Sequence, residues 1–516
     1  MSAEELLTKF DYDKFIWRQS SANESQHFQR ALAGSEVVQE LWNRVDKGHQ
    51  TLFFAVHLRL ATPQSEAAIQ EVARRSWIHL RHQTPIVATT CGLDENEFPL
   101  LKYAVPDVNQ VREWAARTLI VHTQATIDLN GLREELGYQK IPSAAGDQTW
   151  MHLVVASSST EVEEIGLVFH TAHAPTDGNG AKIILHGFLS EFAKQLGSTA
   201  SEEQLIWGDE IQRLAPALFT VLNADEPLLI KPGSNEEPSF AHPAYGTLGA
   251  AMQSIVQSMQ NAYGFKHKEG DKSPWPAYHR AELVFGEQES KSLLGYLQDQ
   301  PYTMAVLAHA ALAMVVVHFN PPSVESAGHT LSNWTMLDVR HRLKEPFSSR
   351  HGYTGYGIAP PRFSLPLSLF FSDETLLPLD KAMLLKLMDD ARERYKLQRE
   401  LPPGYFPLAA ELFVAQMKMG YAANMIPPNQ CYSFSSDGRG ENKLDLTYKD
   451  KSGKAVFEIT KFWTSVSHPY PAPYFRVSSW QGVIDLGADY NENLTLREEV
   501  NRWLAKWREF MLLFVQ

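Results

Sequence analysis

Residues 165–196 constrain this chain more than any other stretch. Ile165–His170 is an apolar run that reads as a buried strand. The segment FHTAHAPTDGNG, residues 169–180, follows it and is polar and glycine-bearing. After it, Ala181, Ile184, Leu185, Phe188, Leu189, Phe192 and Leu196 recur at helical spacing. A strand that breaks into a tight polar turn and returns as an amphipathic helix is an α/β unit. The turn holds two histidines, an aspartate and two glycines between elements destined for burial. Titratable groups in such a place are costly unless they are paired or used.

The residue types suit general-base chemistry. A neutral imidazole with an ordinary pKa of about 6.5 accepts a proton from a hydroxyl at neutral pH, so His173 is the candidate base. Asp177, four residues on, can pair with an arginine and fix the loop, or orient the histidine. Gly178 and Gly180 are expected to relieve backbone crowding in the turn. His170, His173 and Asp177 also offer three metal-ligand types. However, the two histidines stand three apart at a strand end with no glutamate between them, and zinc sites on helices want ligands on one face. No metal is expected, and His170 is expected to be a packed core residue.

The chain of 516 residues is too long for one ordinary core and predicts two domains of about 200–250 residues each. We place them at residues 1–222, carrying the His173 turn, and residues 277–516. A crossover rich in Pro, Gly, Ser and Lys occupies 223–276, with local helix near Leu248–Ala262. In the first domain, residues 51–61 read as a strand. Thr62 reads as an N-cap with Pro63 in the first helical turn, and a helix follows to about Arg81. Gln83-Thr84-Pro85 stops it. A further strand is predicted at Met151–Ala156. The second domain opens with a strand at Ala281–Phe285 and a helix from about Glu287. A buried helix covers Ala305–Phe319. Strands follow near Val456–Thr464 and Phe475–Leu486. A terminal helix is capped by Thr495-Leu-Arg-Glu498, with Val500, Trp503, Leu504, Trp507 and Met511 on its apolar face.

The formal charge of −13 disfavours nucleic acid and anionic membranes as partners. Cys91 and Cys431 stand far apart, which excludes a disulfide framework and a thiolate metal cluster. The acidic start MSAEELLTKFDYDKF lacks a secretory pattern. The apolar run at 305–319 is shorter than the roughly 18–20 residues that cross a bilayer. A cytoplasmic protein is expected.

The segment His173-Ala-Pro-Thr-Asp177-Gly178 matches the His-x-x-x-Asp-Gly signature of the coenzyme A-dependent and condensation-domain acyltransferase superfamily. The resemblance extends along nearly the whole chain. Arg81-His-Gln-Thr-Pro85 is similar to the boundary after the family's early helix. Leu337-Asp338-Val339-Arg340-His341-Arg342, with Pro346 and Gly352-Tyr353-Thr-Gly355, resembles the D-x-R and Y-x-G-N stretch of its second domain. Ser435-Ser436-Asp437-Gly438 resembles its S-N-x-G turn, and Ser479-Trp480-Gln-Gly482 through Asn491 its closing elements. The D-F-G-W-G motif of plant members is absent, and no asparagine follows Gly355. Within the superfamily, the length and the start FDYDKFIWRQ look most like fungal trichothecene 15-O-acetyltransferases.

This resemblance implies an α/β, α+β-layered fold of two similar chloramphenicol-acetyltransferase-like domains with a channel between them. It implies transfer of an acetyl or short acyl group from acetyl-CoA, a co-substrate rather than a resident cofactor, to an apolar alcohol. The acceptor would be a trichothecene-type sesquiterpenoid, acylated at its 15-hydroxyl by a monomeric enzyme. His173 would be the base and Asp177 a structural carboxylate paired with Arg340 or Arg342. Ser435 and Ser436 are candidates for an oxyanion or substrate contact, although Ser-Asp-Gly is also common turn chemistry. Tyr353, Tyr356, Phe462 and Trp463 are candidates for an acceptor pocket or plain core. Residues that contact the coenzyme are not assigned. Two other readings of the same fold stay open: a donor held as a carrier-protein thioester, and a non-catalytic ligand-binding homologue.

Overall fold

The computed structural model describes residues 12–20, 26–45, 50–95, 98–156, 161–196, 205–223, 261–266, 276–359, 362–400 and 431–516. Its two main sheets are built from β1 (Leu52–Gln64), β2 (Leu119–Gln124), β3 (Thr149–Ala156), β4 (Val162–Thr171), β5 (Tyr278–Val284), β6 (Ser433–Arg439), β7 (Thr447–Lys449), β8 (Ala455–Val466), β9 (Tyr474–Trp480) and β10 (Val483–Asn491). The helices that matter here are α1 (Glu66–Gln83), α2 (Gly178–Leu196), α3 (Glu287–Gln298), α4 (Met304–Phe319) and α5 (Arg497–Leu512).

The first sheet has the order β7-β8-β1-β4-β3-β2, and the second β6-β9-β10-β5. β1 is apolar without alternation because both its faces are covered. Phe54, Val56 and Leu58 face a core shared with α1 and α2. Phe53 and Ala55 face a smaller cluster with Leu129, Leu132 and Trp463. The second core gathers around α4, α5, β9 and β10. Val306–Val317 of α4 are buried without a break. His309, which interrupts that run, shares hydrogen bonds with Tyr395 at 2.8 Å and Asn333 at 3.0 Å. The molecule is a layered α/β structure, as the sequence predicts, with two large cores and smaller clusters beside them. No helix among the described residues is long and apolar enough to cross a membrane.

Sequence order and sheet membership part in one place. β7 and β8 come from the last quarter of the chain, yet they complete the first sheet. β8 runs antiparallel to β1, pairing Thr464 with Phe54 and Val466 with Leu52. The helix expected near Leu248–Ala262 lies almost wholly outside the described residues.

Three expectations about element ends are corrected. β1 continues to Gln64, and the N-cap of α1 is Ser65, whose Oγ accepts from Ala68 N at 3.3 Å. Pro63 is tolerated in the strand because the ladder to β4 slips between Arg59 and Gln64, so no partner needs its missing N–H. The single strand expected at 475–486 is a hairpin, β9 and β10, turned at Gln481 and Gly482 with φ of 50° and 76°. Two successive positive φ values match the right-handed twist of the flanking strands. Thr495 does not cap α5. Its hydroxyl donates to Pro471 O at 2.6 Å, and the Glu499 carboxylate accepts from Leu496 N at 3.3 Å.

Candidate active site

β4 ends at Thr171 and α2 starts at Gly178, so six residues form the turn that carries His173. The His173 ring is half-buried, tilted against Tyr356 with centroids 5.3 Å apart. Its Nδ1 lies 3.1 Å from Thr176 O. A carbonyl oxygen only accepts, so Nδ1 carries the proton and Nε2 keeps its lone pair. Burial lowers the pKa of this imidazole below its ordinary value, against the opposing pull of Asp177 and of the backbone. That direction favours the neutral ring, the form a general base needs.

Asp177 points away from His173. It is fully buried, and both oxygens are saturated. Oδ1 accepts from Arg340 Nη2 at 2.8 Å and Gly180 N at 2.8 Å. Oδ2 accepts from Arg340 Nη1 at 3.0 Å and Gly357 N at 2.6 Å. Burial alone would raise this carboxyl, but the Arg340 guanidinium and the two amides outweigh it and hold it below the usual carboxylate range. Arg340 also donates to the carbonyls of Tyr353 at 3.0 Å and Gly355 at 2.8 Å, and to Asp338 at 3.2 Å. Arg342 does not pair with Asp177: it is half-buried and bonds the carbonyl of Arg399.

The two glycines of the turn differ. A Cβ on Gly180 would lie 2.3 Å from Thr176 Oγ1 and 2.4 Å from Thr354 O, so close approach excludes any other residue. Gly178 has nothing within 4 Å of such a Cβ. The crowding expected at both positions is real only at Gly180. Gly178 instead borders open space.

That space is a cavity of about 120 Å³. Its walls come from the start of α2 (Gly178, Asn179, Lys182), from β1 and β8, and from β6 and β9. His173, Ser435 and Ser436 all line it. The serines sit in a strand rather than a turn, since β6 pairs in parallel with β9 and only its register shifts near Gly438. Ser435 Oγ donates to Asp437 Oδ1 at 2.7 Å, and Thr464 Oγ1 donates to Asp437 Oδ2 at 2.5 Å. Ser436 is exposed.

From this wall inward runs a chain of charges that the sequence reading did not find. Lys182 Nζ donates to Asp437 O at 3.0 Å. Arg476 stands 3.9 Å from Asp437 and makes an ion pair with Asp489. Asp489 also accepts from Ser465 Oγ, which in turn accepts from Arg133 Nε at 2.7 Å. Lys182 is a charged residue on the buried side of an otherwise apolar helix. That mismatch was the available signal: Lys182 falls on the stripe of α2 that also carries Leu185 and Leu189.

Among the aromatic candidates, only Tyr356 reaches His173, and its hydroxyl accepts from Gln39 Nε2 at 3.1 Å. Tyr353 is core, donating to Pro216 O at 2.8 Å. Phe462 packs on Trp480, and Trp463 lies under the Arg280 guanidinium. His170 is fully buried and stacked on Phe53 with centroids 4.6 Å apart. Among the described residues, no group of three or more His, Cys, Asp or Glu side chains could hold a metal ion.

The family described as 15-O-acetyltransferase Tri3 matches residues 9–349 of the chain. A trichothecene O-acetyltransferase, TRI3, of Trichoderma arundinaceum is 21% identical over 99% of this chain and 99% of its own length. The TRI3 trichothecene 15-O-acetyltransferase structure from Fusarium sporotrichioides superposes with a TM-score of 0.82 at 18% identity, covering 98% of this chain and 99% of that one. The first condensation domain of the CDA synthetase superposes with a TM-score of 0.60 at 10% identity, covering 94% of this chain and 96% of that one. These two likenesses establish the two-lobed condensation-like fold.

Proposed function

This chain belongs to the 15-O-acetyltransferase Tri3 family, and from that membership we propose that it moves an acetyl group from acetyl-CoA to the 15-hydroxyl of a trichothecene-type sesquiterpenoid. The enzyme is an O-acetyltransferase of secondary metabolism. The donor, the acceptor position and the residue roles are our reading, as is its action as a cytoplasmic monomer.

The reaction is direct transfer. His173 Nε2 takes the proton from the acceptor hydroxyl while that oxygen attacks the thioester carbonyl carbon. The tetrahedral oxyanion collapses, the C–S bond breaks, and the proton held by His173 passes to the departing thiolate. The products are the acetyl ester and free coenzyme A. No acyl-enzyme forms, so both substrates are held together. Asp177 and Arg340 keep the His173 turn in place without touching substrate. Ser436 is proposed as a substrate contact. Ser435 contributes only as an acceptor while its proton is given to Asp437.

The observation that carries this reading is the 3.1 Å approach of His173 Nδ1 to Thr176 O, an acceptor that calls for the proton on Nδ1 and so leaves the lone pair of Nε2 available. The test is thiol release from acetyl-CoA in the presence of a trichothecene with a free 15-hydroxyl. Loss of a general base predicts that His173→Ala lowers kcat by roughly 10²–10⁴-fold. The base works only when neutral, so activity is lost as pH falls through its folded pKa. The acid limb of kcat/KM should therefore lie below the ordinary histidine value of 6.5. Full activity in His173→Ala, or an acid limb above that value, contradicts the assignment.

A further inference from the structure

An oxyanion needs hydrogen-bond donors whose protons are not already given away. A hydroxyl has one proton. Those of Ser435 and Thr464 go to Asp437, and that of Ser465 goes to Asp489. The amide nitrogen of Asn179 gives one of its two protons to Asp338 at 2.8 Å, and what remains is a neutral donor. Arg476 keeps spare N–H groups, but its charge is compensated by the buried Asp489 carboxylate. Lys182 differs. Its ammonium has three N–H groups, and among the described residues one acceptor, Asp437 O, is recorded for them. Lys182 is buried, yet it lines the same cavity as His173.

The backbone explains how the ammonium gets there. Lys182 follows Gly178 by four residues, one turn of α2. Side chains on a helix lean toward its N-terminus, so the Lys182 stem leans along the helix surface toward Gly178. Gly178 has no side chain to obstruct it, and the space there is open. The turn that presents His173 lies immediately beyond. Gln50 and Ser436 also border the cavity, but they are neutral, and a charged donor is about twice as strong in a site of low dielectric.

We propose that Lys182 is a catalytic residue that stabilises the oxyanion of the tetrahedral intermediate by hydrogen bonding from its ammonium group. The inference rests on the acetyl-transfer reading above. Lys182 keeps its proton throughout: the hydroxyl proton still moves to His173 and then to the thiolate. Asp437 is a positioning residue. It holds Lys182 through its carbonyl, and its carboxylate fixes Ser435 and Thr464.

The charges around Lys182 come from every element packed on it: Asp437 on β6, Arg476 on β9, Asp338 on the short strand Leu337–Asp338, Lys443 after β6, and His173 and Asp177 on its own turn. Burial lowers the pKa of the ammonium below the ordinary 10.5, against Asp437, Asp177 and Asp338. The working form is protonated, so its contribution is lost as pH rises through that lowered value.

The experiment measures kcat, KM and their pH dependence for the wild type, Lys182→Met, Lys182→Arg, Ser436→Ala and His173→Ala. Acetyl-CoA and a trichothecene with a free 15-hydroxyl are the substrates, and thermal unfolding is followed in parallel. Lys182→Met fills the same volume and should lower kcat by roughly 10²–10³-fold, with KM changed by less than about threefold. It should also abolish the alkaline limb of kcat. Lys182→Arg, which does not titrate, should retain more activity and move that limb to higher pH. A purely structural lysine would alter Tm and leave the limb in place. If His173→Ala is inactive while folded Lys182→Met or Lys182→Arg keeps wild-type kcat and an unchanged limb, the proposal fails and the acetyl-transfer reading stands. If Ser436→Ala shows the loss instead, the oxyanion donor is Ser436. If neither His173 nor Lys182 substitution alters transfer, both readings fall.

Discussion

Gly178 separates what a residue does for folding from what it does for the site. Its missing Cβ relieves no clash, because nothing lies within 4 Å of where that atom would be. It does keep the cavity mouth open beside His173 and Lys182. Gly178→Ala is therefore expected to leave thermal stability unchanged or slightly raised, since alanine is the better helix former by up to about 1 kcal/mol. The same substitution should lower kcat/KM, because the methyl enters space that substrate uses. A scan of Tm alongside steady-state kinetics checks both halves, and equal activity would show that Gly178 is not at the mouth. Gly180→Ala should do the reverse, destabilising the fold through the clash with Thr354 O. At this scale the sequence was informative about identity and poor about duty. The motif singled out both glycines, but the chain order contains nothing that says Thr354 lies over one of them.

At the scale of elements, the Asp177–Arg340 pair fastens the start of α2 to the segment 338–357. Breaking a buried pair while leaving its partner charged costs about 3–5 kcal/mol. Asp177→Asn and Arg340→Ala should each lose stability of that order in denaturant unfolding. Arg340→Lys should not restore it, since a lysine cannot span both carboxylate oxygens and the two carbonyls of Tyr353 and Gly355. Arg342→Ala should change stability by less than about 0.5 kcal/mol. A large loss at Arg342 would reverse the pairing. The depressed pKa of Asp177 gives this tie a pH window: its stabilisation is present above the ordinary carboxylate value of 3.8 and is lost as pH falls through the lower folded value.

The sequence could not choose between Arg340 and Arg342. They stand two apart in a segment without periodicity, and only the bend of the 3-10 turn Arg340–Arg342 turns one inward. Helices and strands with a strong apolar period were legible: Ile69, Val72, Ala73, Ser76 and Leu80 of α1 are all buried as predicted. Ends were less so. Ser65 outcompeted Thr62 because the pull of β4 on β1 extends the strand past the local capping signal. The hairpin at Gln481-Gly482 was missed although Gly482 interrupts the strand-forming run from Phe475 to Leu486. Its turn uses glutamine where asparagine or aspartate is the usual cue.

At the scale of the whole molecule, the two cores are joined by backbone rather than by side-chain contact alone. β8 belongs by sequence to the second half and by hydrogen bonding to the first. The buried charges Lys182, Asp437, Arg476, Asp489 and Arg133 cross the same junction. Two cores in a chain of this length ordinarily unfold separately. Here calorimetry is expected to show one transition with matching calorimetric and van't Hoff enthalpies. Two resolved transitions would mean that β8 can leave β1 without cost. The charge network escaped the sequence reading for the same reason that it matters: its members are about 250–350 residues apart in sequence and meet only because β8 returns to the first sheet with β9 and β10 of the second against it.

That returning strand also sets a timetable for synthesis. β1 emerges from the ribosome with its outer edge bare, and the partner that closes the edge is made about 400 residues later. At about 5–20 residues per second the gap is roughly 20–80 s. During it, Phe53–Leu58 form an unpaired apolar border of the kind on which nascent chains stick to one another. Slower translation lengthens that exposure, so yield in a foreign host is expected to rise with holdase supply even where the stability of the finished fold is unchanged.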